Sequence, residues 1–380
     1  MNPAHPSDPA HPSDPAHPSA SAPARTAALP PLPGAPGGPA LPSVEDLLAD
    51  AVAVTLPMRV RFRGTDARQA LLLRGPAGWA EFSPFPEYGP AESSAWLAAA
   101  IEAGWQGWPA PVRDVVPVNA TVPAVEADAV ESVLARYGEG ITAVKVKVAE
   151  HRPGGGLVPG SHSADLARVR RVRELLPDAH VRIDANAGWT PAEAIAMLAE
   201  LADVGLEYAE QPVPGIKKLA RVRRELRARG VSTPIAADEA VRKAEDPLAV
   251  AAAGAADLIV VKVQPLGGVR RAAAIVAAAG LPAVVSSALD TSVGIAGGAA
   301  LAAHLPALPH ACGLGTAALF DDDVVAPAWT PRQGVLEAPG ERAPEPDPAL
   351  LGRVRADERT HAWWRDRVAA AHAVLAAGGR

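Results

Sequence analysis

The sequence predicts an α/β protein, a closed parallel β/α barrel preceded by a smaller α+β unit. Three observations carry this. Between Pro117 and Gly313 eight short apolar runs alternate with amphipathic stretches, the rhythm of successive β/α units, and eight strands are the number that closes a barrel. Three of the runs end in an acid at a spacing of about one strand plus one helix, 26 residues from Asp184 to Glu210 and 28 from Glu210 to Asp238. No Gly-x-Gly-x-x-Gly follows the first run, which weakens the alternative of an open doubly wound sheet that binds a dinucleotide.

The elements follow in order. Residues 1–41 are rich in Pro, Ala, Ser and Gly, and His-Pro-Ser-Asp-Pro-Ala occurs twice in tandem, from His5 to Ala10 and from His11 to Ala16, before a partial third copy. Such a composition cannot bury a core, so a disordered tail is expected, with Val44 as an alternative start of the protein. Residues 42–113 form the small α+β unit. Val52 to Leu73 reads as two strands around a loop at Arg63, Gly64 and Thr65, followed by a Pro-broken aromatic loop from Pro84 to Tyr88 and an Ala-rich helix from Ala91 to Ala103.

The barrel is expected over residues 114–325. Its strands are Pro117 to Val122, Ala143 to Ala149, His180 to Asp184, Tyr208 to Gln211, Ile235 to Asp238, Leu258 to Val263, Ala283 to Ser287 and, more weakly, Pro309 to Gly313. Helices fill the gaps: Glu126 to Tyr137, Ala164 to Leu176, Pro191 to Ala202, Lys217 to Arg229, Pro247 to Ala253, Arg270 to Ala279 and Val293 to His304. Residues 326–380 are Pro-rich up to Pro348 and helical from Asp357 to Ala377, a segment expected to return over the first unit.

Composition excludes several classes. The net charge of -6 and the near-neutral isoelectric point offer no basic face for nucleic acid. Cys312 is the only cysteine, so no disulfide can form within the chain, which fits a reducing compartment. The N-terminus lacks the apolar core of a signal peptide, and runs such as Leu248 to Ala256 are too short to span a bilayer. A soluble, cytoplasmic protein is expected, with a small molecule as its partner.

The chemistry lies in the strand ends. In a parallel barrel the active site sits at the C-terminal ends of the strands, so Asp184, Glu210 and Asp238 are read first as functional. Each acid by itself could simply cap the helix that follows. Three of them on adjacent strands at similar height would repel one another strongly unless a cation sat among them, and oxygen ligands suit a hard divalent ion such as Mg2+, with Mn2+ as the alternative. The chain has only six lysines (Lys145, Lys147, Lys217, Lys218, Lys243 and Lys262) among its 36 basic residues, and three of the six interrupt apolar strands. Lys145 and Lys147 alternate along the second strand and share a face, while Lys262 lies 24 residues after Asp238, on the sixth.

Lysines thus flank the acids and can face one another across the barrel mouth. The alternative is that they only pair with the acids. A neighbouring cation and burial both lower a lysine's pKa from about 10.4, which makes a neutral amine available as a general base. The reaction suggested is removal of a proton next to a carboxylate, whose developing charge a metal stabilises.

These residues resemble the enolase superfamily, in the branch with Lys-x-Lys on the second barrel strand. The resemblance runs from Val44 to at least Asp323 through Lys145-Val-Lys147, Asp184-Ala-Asn186, Glu210-Gln-Pro212, Asp238-Glu239 and Lys262. It implies a modified (β/α)7β TIM-like barrel with an α+β capping domain. Arg61-Phe-Arg63-Gly64, Trp79 to Tyr88, Val118 to Val122 and Ser286 to Gly294 resemble a dehydratase branch of that superfamily.

That likeness implies loss of water from 2-succinyl-6-hydroxy-2,4-cyclohexadiene-1-carboxylate in menaquinone biosynthesis. Lys147 would be the base and Lys262 an electrostatic partner, with Lys145 tuning Lys147. Asn186, Ser286, Ser287 and Arg63 would contact the substrate, the serines at its succinyl tail, and the aromatic loop would close the mouth. Racemases of N-succinylamino acids and cycloisomerases keep the same lysines and acids, and so stay open. A dipeptide epimerase is disfavoured because His310 to Gly315 lacks paired acids to grip a substrate amine. A silent barrel used for binding is the reading from another class.

Overall fold

The computed structural model describes residues 28–62, 65–152, 155–243 and 246–378. A short helix α1 (Val44–Leu48) leads into an antiparallel sheet of β1 (Val52–Phe62), β2 (Thr65–Gly75) and β3 (Gly78–Phe82), backed by α2 (Pro90–Ile101). Ser43 starts α1 with a capping box to Asp46, which supplies partners for backbone N–H groups that the first turn leaves unbonded. Arg63 lies outside the described residues, so its expected substrate contact is left as a sequence expectation.

The barrel follows as β4 (Val115–Pro117), β5 (Ala120–Val122), α3 (Val130–Ala135), β6 (Ala143–Lys147), α4 (Ser161–Leu175), β7 (His180–Asp184), α5 (Pro191–Glu200), β8 (Tyr208–Glu210), α6 (Ile216–Ala228), β9 (Ile235–Ala237), α7 (Asp246–Ala252), β10 (Leu258–Val261), α8 (Val269–Ala279), β11 (Ala283–Val285) and α9 (Ser292–His304). Seven strands pair in parallel in the order β11-β10-β9-β8-β7-β6-β5. Side chains alternate with the strand period of two. Val144, Val146, Val181, Ile183, Ala209, Ile235, Ile259 and Val261 belong to the main core cluster, while Tyr208, Ala236, Leu258, Val260 and Val284 form a separate cluster, Tyr208 two residues before Glu210 and Val260 two before Lys262.

The ring closes through single bridges. Val118 pairs with Cys312 and Ser286 with Gly313, both in parallel, so the eighth strand expected at Pro309 to Gly313 is reduced to two or three residues. The first expected strand is likewise broken: β4 turns away to pair antiparallel with β12 (Val335–Glu337), and only β5 joins the barrel. The helix expected at Glu126 to Tyr137 begins as a 3-10 turn and is regular only in α3.

The chain ends in α10 (Pro348–Val354) and α11 (Glu358–Ala376). Helix α11 lies on α2 and the capping sheet, with Trp364 almost fully buried edge-on to Phe82 at 5.7 Å between ring centroids. Arg367 of the same helix donates to the carbonyls of Phe85 and Tyr88, fixing the aromatic loop from behind.

The tail expected over 1–41 needs correction for its last part. Residues 28–41 pack on the protein: Leu29, Leu32 and Leu41 lie against the core, because three leucines among the prolines are enough apolar surface to hold a segment that has a turn of its own. Residues 1–27 lie outside the described residues. Among the described residues no helix is long and apolar enough to cross a membrane.

Trp364→Ala empties a large buried site between α11 and the capping sheet and is expected to cost about 3–5 kcal/mol in urea unfolding; a loss below about 1 kcal/mol would show that α11 is not integral to the cap.

Candidate active site

The register sets the site. Lys147 pairs with Asp184 and Asp184 with Glu210 across β6, β7 and β8, so three functional side chains stand at one level of the barrel. Glu210 follows Ala209, whose partner is Ile235, and is itself paired with Ala236. Asp238 therefore lies on the same face but two residues further along, above the level expected from spacing alone. Lys262 comes directly after β10. Lys145, Lys147, Asp184, Glu210, Asp238, Lys262, Ser286 and Ser287 all line one cavity, while Asn186 of the expected set stands beside it on Lys147.

Within it every carboxylate meets a lysine. Lys145 Nζ is 3.2 Å from both oxygens of Glu210 and 3.7 Å from Asp184. Lys147 donates to Asp184 and, at 2.8 Å, to Asn186 Oδ1, while Lys262 donates to Asp238. Burial opposes the charge on Lys145, but Glu210 and Asp184 outweigh it and its pKa is raised. The depression expected for the lysines is thus reversed at this one, which sits among acids. Burial, then repulsion from Asp184, pushes Glu210 up to about 7 against the pull of Lys145.

The donor set fits a hard divalent cation: three buried carboxylates, all oxygen, one of them incompletely neutralised by its lysine. Among the described residues no three His, Cys, Asp or Glu side chains already converge as a metal cage, because the carboxylates are turned to lysines instead. Asp184, Glu210 and Asp238 are the residues that would hold the ion.

The expected Asn186 and, without a clear sequence signal, Ala187, Gln211 and Leu289 all have left-handed backbones, φ 44, 61, 38 and 62, just past the strand ends. Such strain persists only where surrounding bonds fix it. Gln211 shows how: its Oε1 accepts from the backbone N–H of Asp238 at 2.9 Å and of Ala240 at 3.1 Å, so the residue beside one acid sets the strand end of the next. Asn186 Nδ2 in turn donates to Glu239 at 3.0 Å. Thr316, from beyond the barrel's closing strand, bonds Ser287 at 2.7 Å, and Ser287 Oγ donates to Gly313 O at 3.1 Å. Phe85 of the aromatic loop and Thr121 complete the lining.

The cap is fastened to this wall by buried charge. Arg68 of β2 donates to Leu289 O at 3.1 Å and to Ser83 O, and its guanidinium lies 4.4 Å from the Phe85 ring centre. Glu81 of β3 accepts from the backbone N–H of Thr291 at 3.0 Å and its hydroxyl at 2.6 Å, at the start of α9. A Cβ on Gly294 would fall 2.7 Å from both Asp290 Cβ and Glu81 Oε2, so only glycine lets α9 approach this closely.

With this geometry in hand, two family models match the chain: Enolase N-terminal domain-like over residues 53–104 and Enolase C-terminal domain-like over 127–343. The chain belongs to the enolase superfamily. It is 52% identical over 337 residues to the o-succinylbenzoate synthase of Mycolicibacterium smegmatis, covering 88% of this chain and 99% of that protein. It is 50% identical over 322 residues to the o-succinylbenzoate synthase of Thermobifida fusca, covering 84% and 95%. Among solved structures, 2-chloromuconate cycloisomerase from Rhodococcus opacus matches with a TM-score of 0.67 and 26% identity over 81% of this chain and 98% of that one. The muconate lactonizing enzyme of Pseudomonas putida, at 24% identity and a TM-score of 0.63 over 81% and 98%, shares the fold.

Burial and the neighbouring Asp290 raise Glu81 from 4.5 to about 7, so the folded chain holds this proton where the unfolded chain has lost it. That contribution is complete below the unfolded pKa and is lost as pH rises through the folded one. Between about pH 5 and about pH 8 the melting temperature should fall further in the wild type than in Glu81→Gln; parallel curves would mean that Glu81 does not titrate in this window.

Proposed function

We propose that the chain catalyses the Mg2+-dependent dehydration of 2-succinyl-6-hydroxy-2,4-cyclohexadiene-1-carboxylate to o-succinylbenzoate, a step of menaquinone biosynthesis. The observation that carries this is the combination of half identity to o-succinylbenzoate synthases along nearly their whole length with lysines on both sides of three buried carboxylates. A divalent cation at Asp184, Glu210 and Asp238 would stabilise the charge that gathers on the ring carboxylate as the adjacent carbon loses its proton.

Lys147 is the base. Its Nζ is aimed by Asp184 and by Asn186, whose own amide is tied to Glu239, so the amine is held toward the cavity and not left to swing. The same Nζ returns the proton to the departing hydroxyl, and formation of the aromatic ring drives the second half. Lys262 stands across the cavity and offers positive charge to the opposite side of the ring. Lys145, locked between Glu210 and Asp184, keeps its proton and bridges those two carboxylates. Ser286 and Ser287 line the same cavity and would hold the succinyl tail. Their hydroxyls already lie beside Gly313 O, and Phe85 closes the roof and excludes water.

A second reading rests on one observation: Lys147 on β6 and Lys262 after β10 lie four strands apart around one cavity, the placement that racemisation of an N-succinylamino acid requires. The two readings separate in one experiment. With purified protein, the dehydratable substrate and Mg2+, formation of o-succinylbenzoate is expected, with loss of activity on chelation and recovery on adding Mg2+ back. Lys147→Ala should lower kcat by about 10³-fold, in the range general-base removal costs. Lys262→Ala should still exchange the α-proton through Lys147, whereas a racemase would lose exchange from one enantiomer. No product from the wild type with Mg2+ present would sink the proposal.

A further inference from the structure

Glu81 of β3 and Asp290, which follows the wall residues Ala288 and Leu289, stand side by side where the cap meets the barrel, 4% and 1% exposed. One belongs to the capping sheet and the other to the barrel. A Cβ on Gly294 would lie 2.7 Å from both Asp290 Cβ and Glu81 Oε2, so the two side chains flank one point on the first turn of α9. Neither lines the cavity of the lysines.

Their hydrogen bonds differ. Glu81 accepts from the Thr291 N–H at 3.0 Å, the Thr291 hydroxyl at 2.6 Å and the Ser83 hydroxyl at 2.6 Å, which are the surroundings of an ionised carboxylate. Asp290 Oδ2 accepts from the Ala288 N–H at 3.1 Å, which bends the side chain back over left-handed Leu289. Its Oδ1 is buried with no donor at hydrogen-bond distance among the described residues, and the Gln264 amide is turned to Gly294 O at 3.4 Å. A buried carboxylate oxygen without a donor bears its full desolvation cost, which a proton relieves. Burial raises both carboxyls, Glu81 to about 7, and in so close a pair the proton belongs to both.

The charges around the pair are Arg68 of β2, near both carboxyls, Glu87 and Tyr88 of the aromatic loop beside Arg68, Lys262 beside Asp290, and Asp323, which accepts from Ser292 on the same turn of α9. Lys262 is already bound to Asp238. Arg68 balances one carboxylate, so a single proton leaves the seam neutral and its loss leaves two acids repelling across cap and barrel. The wall and the roof of the site both depend on this cluster, since Arg68 donates to Leu289 O at 3.1 Å and lies over the Phe85 ring. We infer that Asp290 is a positioning residue: by sharing one proton with Glu81 it holds the wall from Ser286 to Leu289 against the cap, and loss of that proton loosens the wall. The effect on turnover rests on the proposed dehydration. The closed seam holds a proton that an open, wetted seam releases, so closure is favoured at low pH and weakens as pH rises through the raised pKa.

The test compares the full chain with Asp290→Asn, which keeps an acceptor for Ala288 and needs no proton, at saturating Mg2+ and at pH 6 and pH 8. The wild-type KM should rise about tenfold relative to the variant's, as one proton titrating near 7 gives across this window, while the ratio of the two kcat values stays level. Titration of Lys147 or of the carboxylates at the ion is common to both proteins and cancels. In the metal-free proteins, amide-exchange protection over residues 286–296 should fall about tenfold between the same pH values in the wild type only. Loss of packing alone would shift KM and protection equally at both pH values, and that result overturns the inference. So does a variant whose pH dependence matches the wild type's, with the dehydration left standing. If Asp290→Asn does not fold, Glu81→Gln removes the same proton and carries the comparison. A wild type that yields no product overturns the dehydration, and the exchange measurement alone then decides whether the proton is shared.

Discussion

Three carboxylates buried at one end of the barrel repel one another, and the active end of the molecule depends on the cations that offset this. Asp184, Glu210 and Asp238 are each met by a different lysine, and Lys145 reaches Asp184 as well as Glu210. Removing any one positive charge would strand a desolvated carboxylate, which costs several kcal/mol in a protein interior. The same balance makes the site chemically capable. A lysine held by a carboxylate is positioned but occupied, and an added divalent charge on the acids changes what the lysine can do with its proton.

The scaffold serves this charge arrangement by fixing backbone ends more than side chains. Parallel register brings Lys147, Asp184 and Glu210 level, and left-handed residues at Asn186, Gln211 and Leu289 turn the chain sharply where each strand stops. Gln211 links neighbouring strand ends by accepting from Asp238 and Ala240. From above, Arg68 and Glu81 reach out of the capping sheet to Leu289 and Thr291, so the roof residue Phe85 and the wall after β11 are set by the same buried bonds. Cap and barrel thus enclose a single site.

Much of this was legible in the sequence because it follows from local pattern. Apolar runs ended by Asp184, Glu210 and Asp238, and lysines in a chain that otherwise uses arginine, are visible residue by residue. What was hidden depends on distant partners. β4 leaves the barrel because Val335–Glu337, more than two hundred residues later, pairs with it. The eighth strand shrinks to bridges at Cys312 and Gly313, since neighbours on both sides complete the ring without a longer run. Gln211, Arg68 and Thr316 show their roles only once strand ends and the cap are in place. In a proline-rich stretch composition dominates and three leucines are too few to form a pattern, so the sequence alone does not show that Leu29, Leu32 and Leu41 lie against the core.

Lysine and metal compete for the same carboxylates. Calorimetric titration of Mg2+ into the substrate-free wild type and into Lys147→Met tests it directly. The variant keeps all three oxygen donors and loses one cation that opposes the ion, so Mg2+ should bind about tenfold tighter or more, even though the base is gone. Binding that is unchanged or weaker in Lys147→Met would contradict the claim that Lys147 and the ion share Asp184.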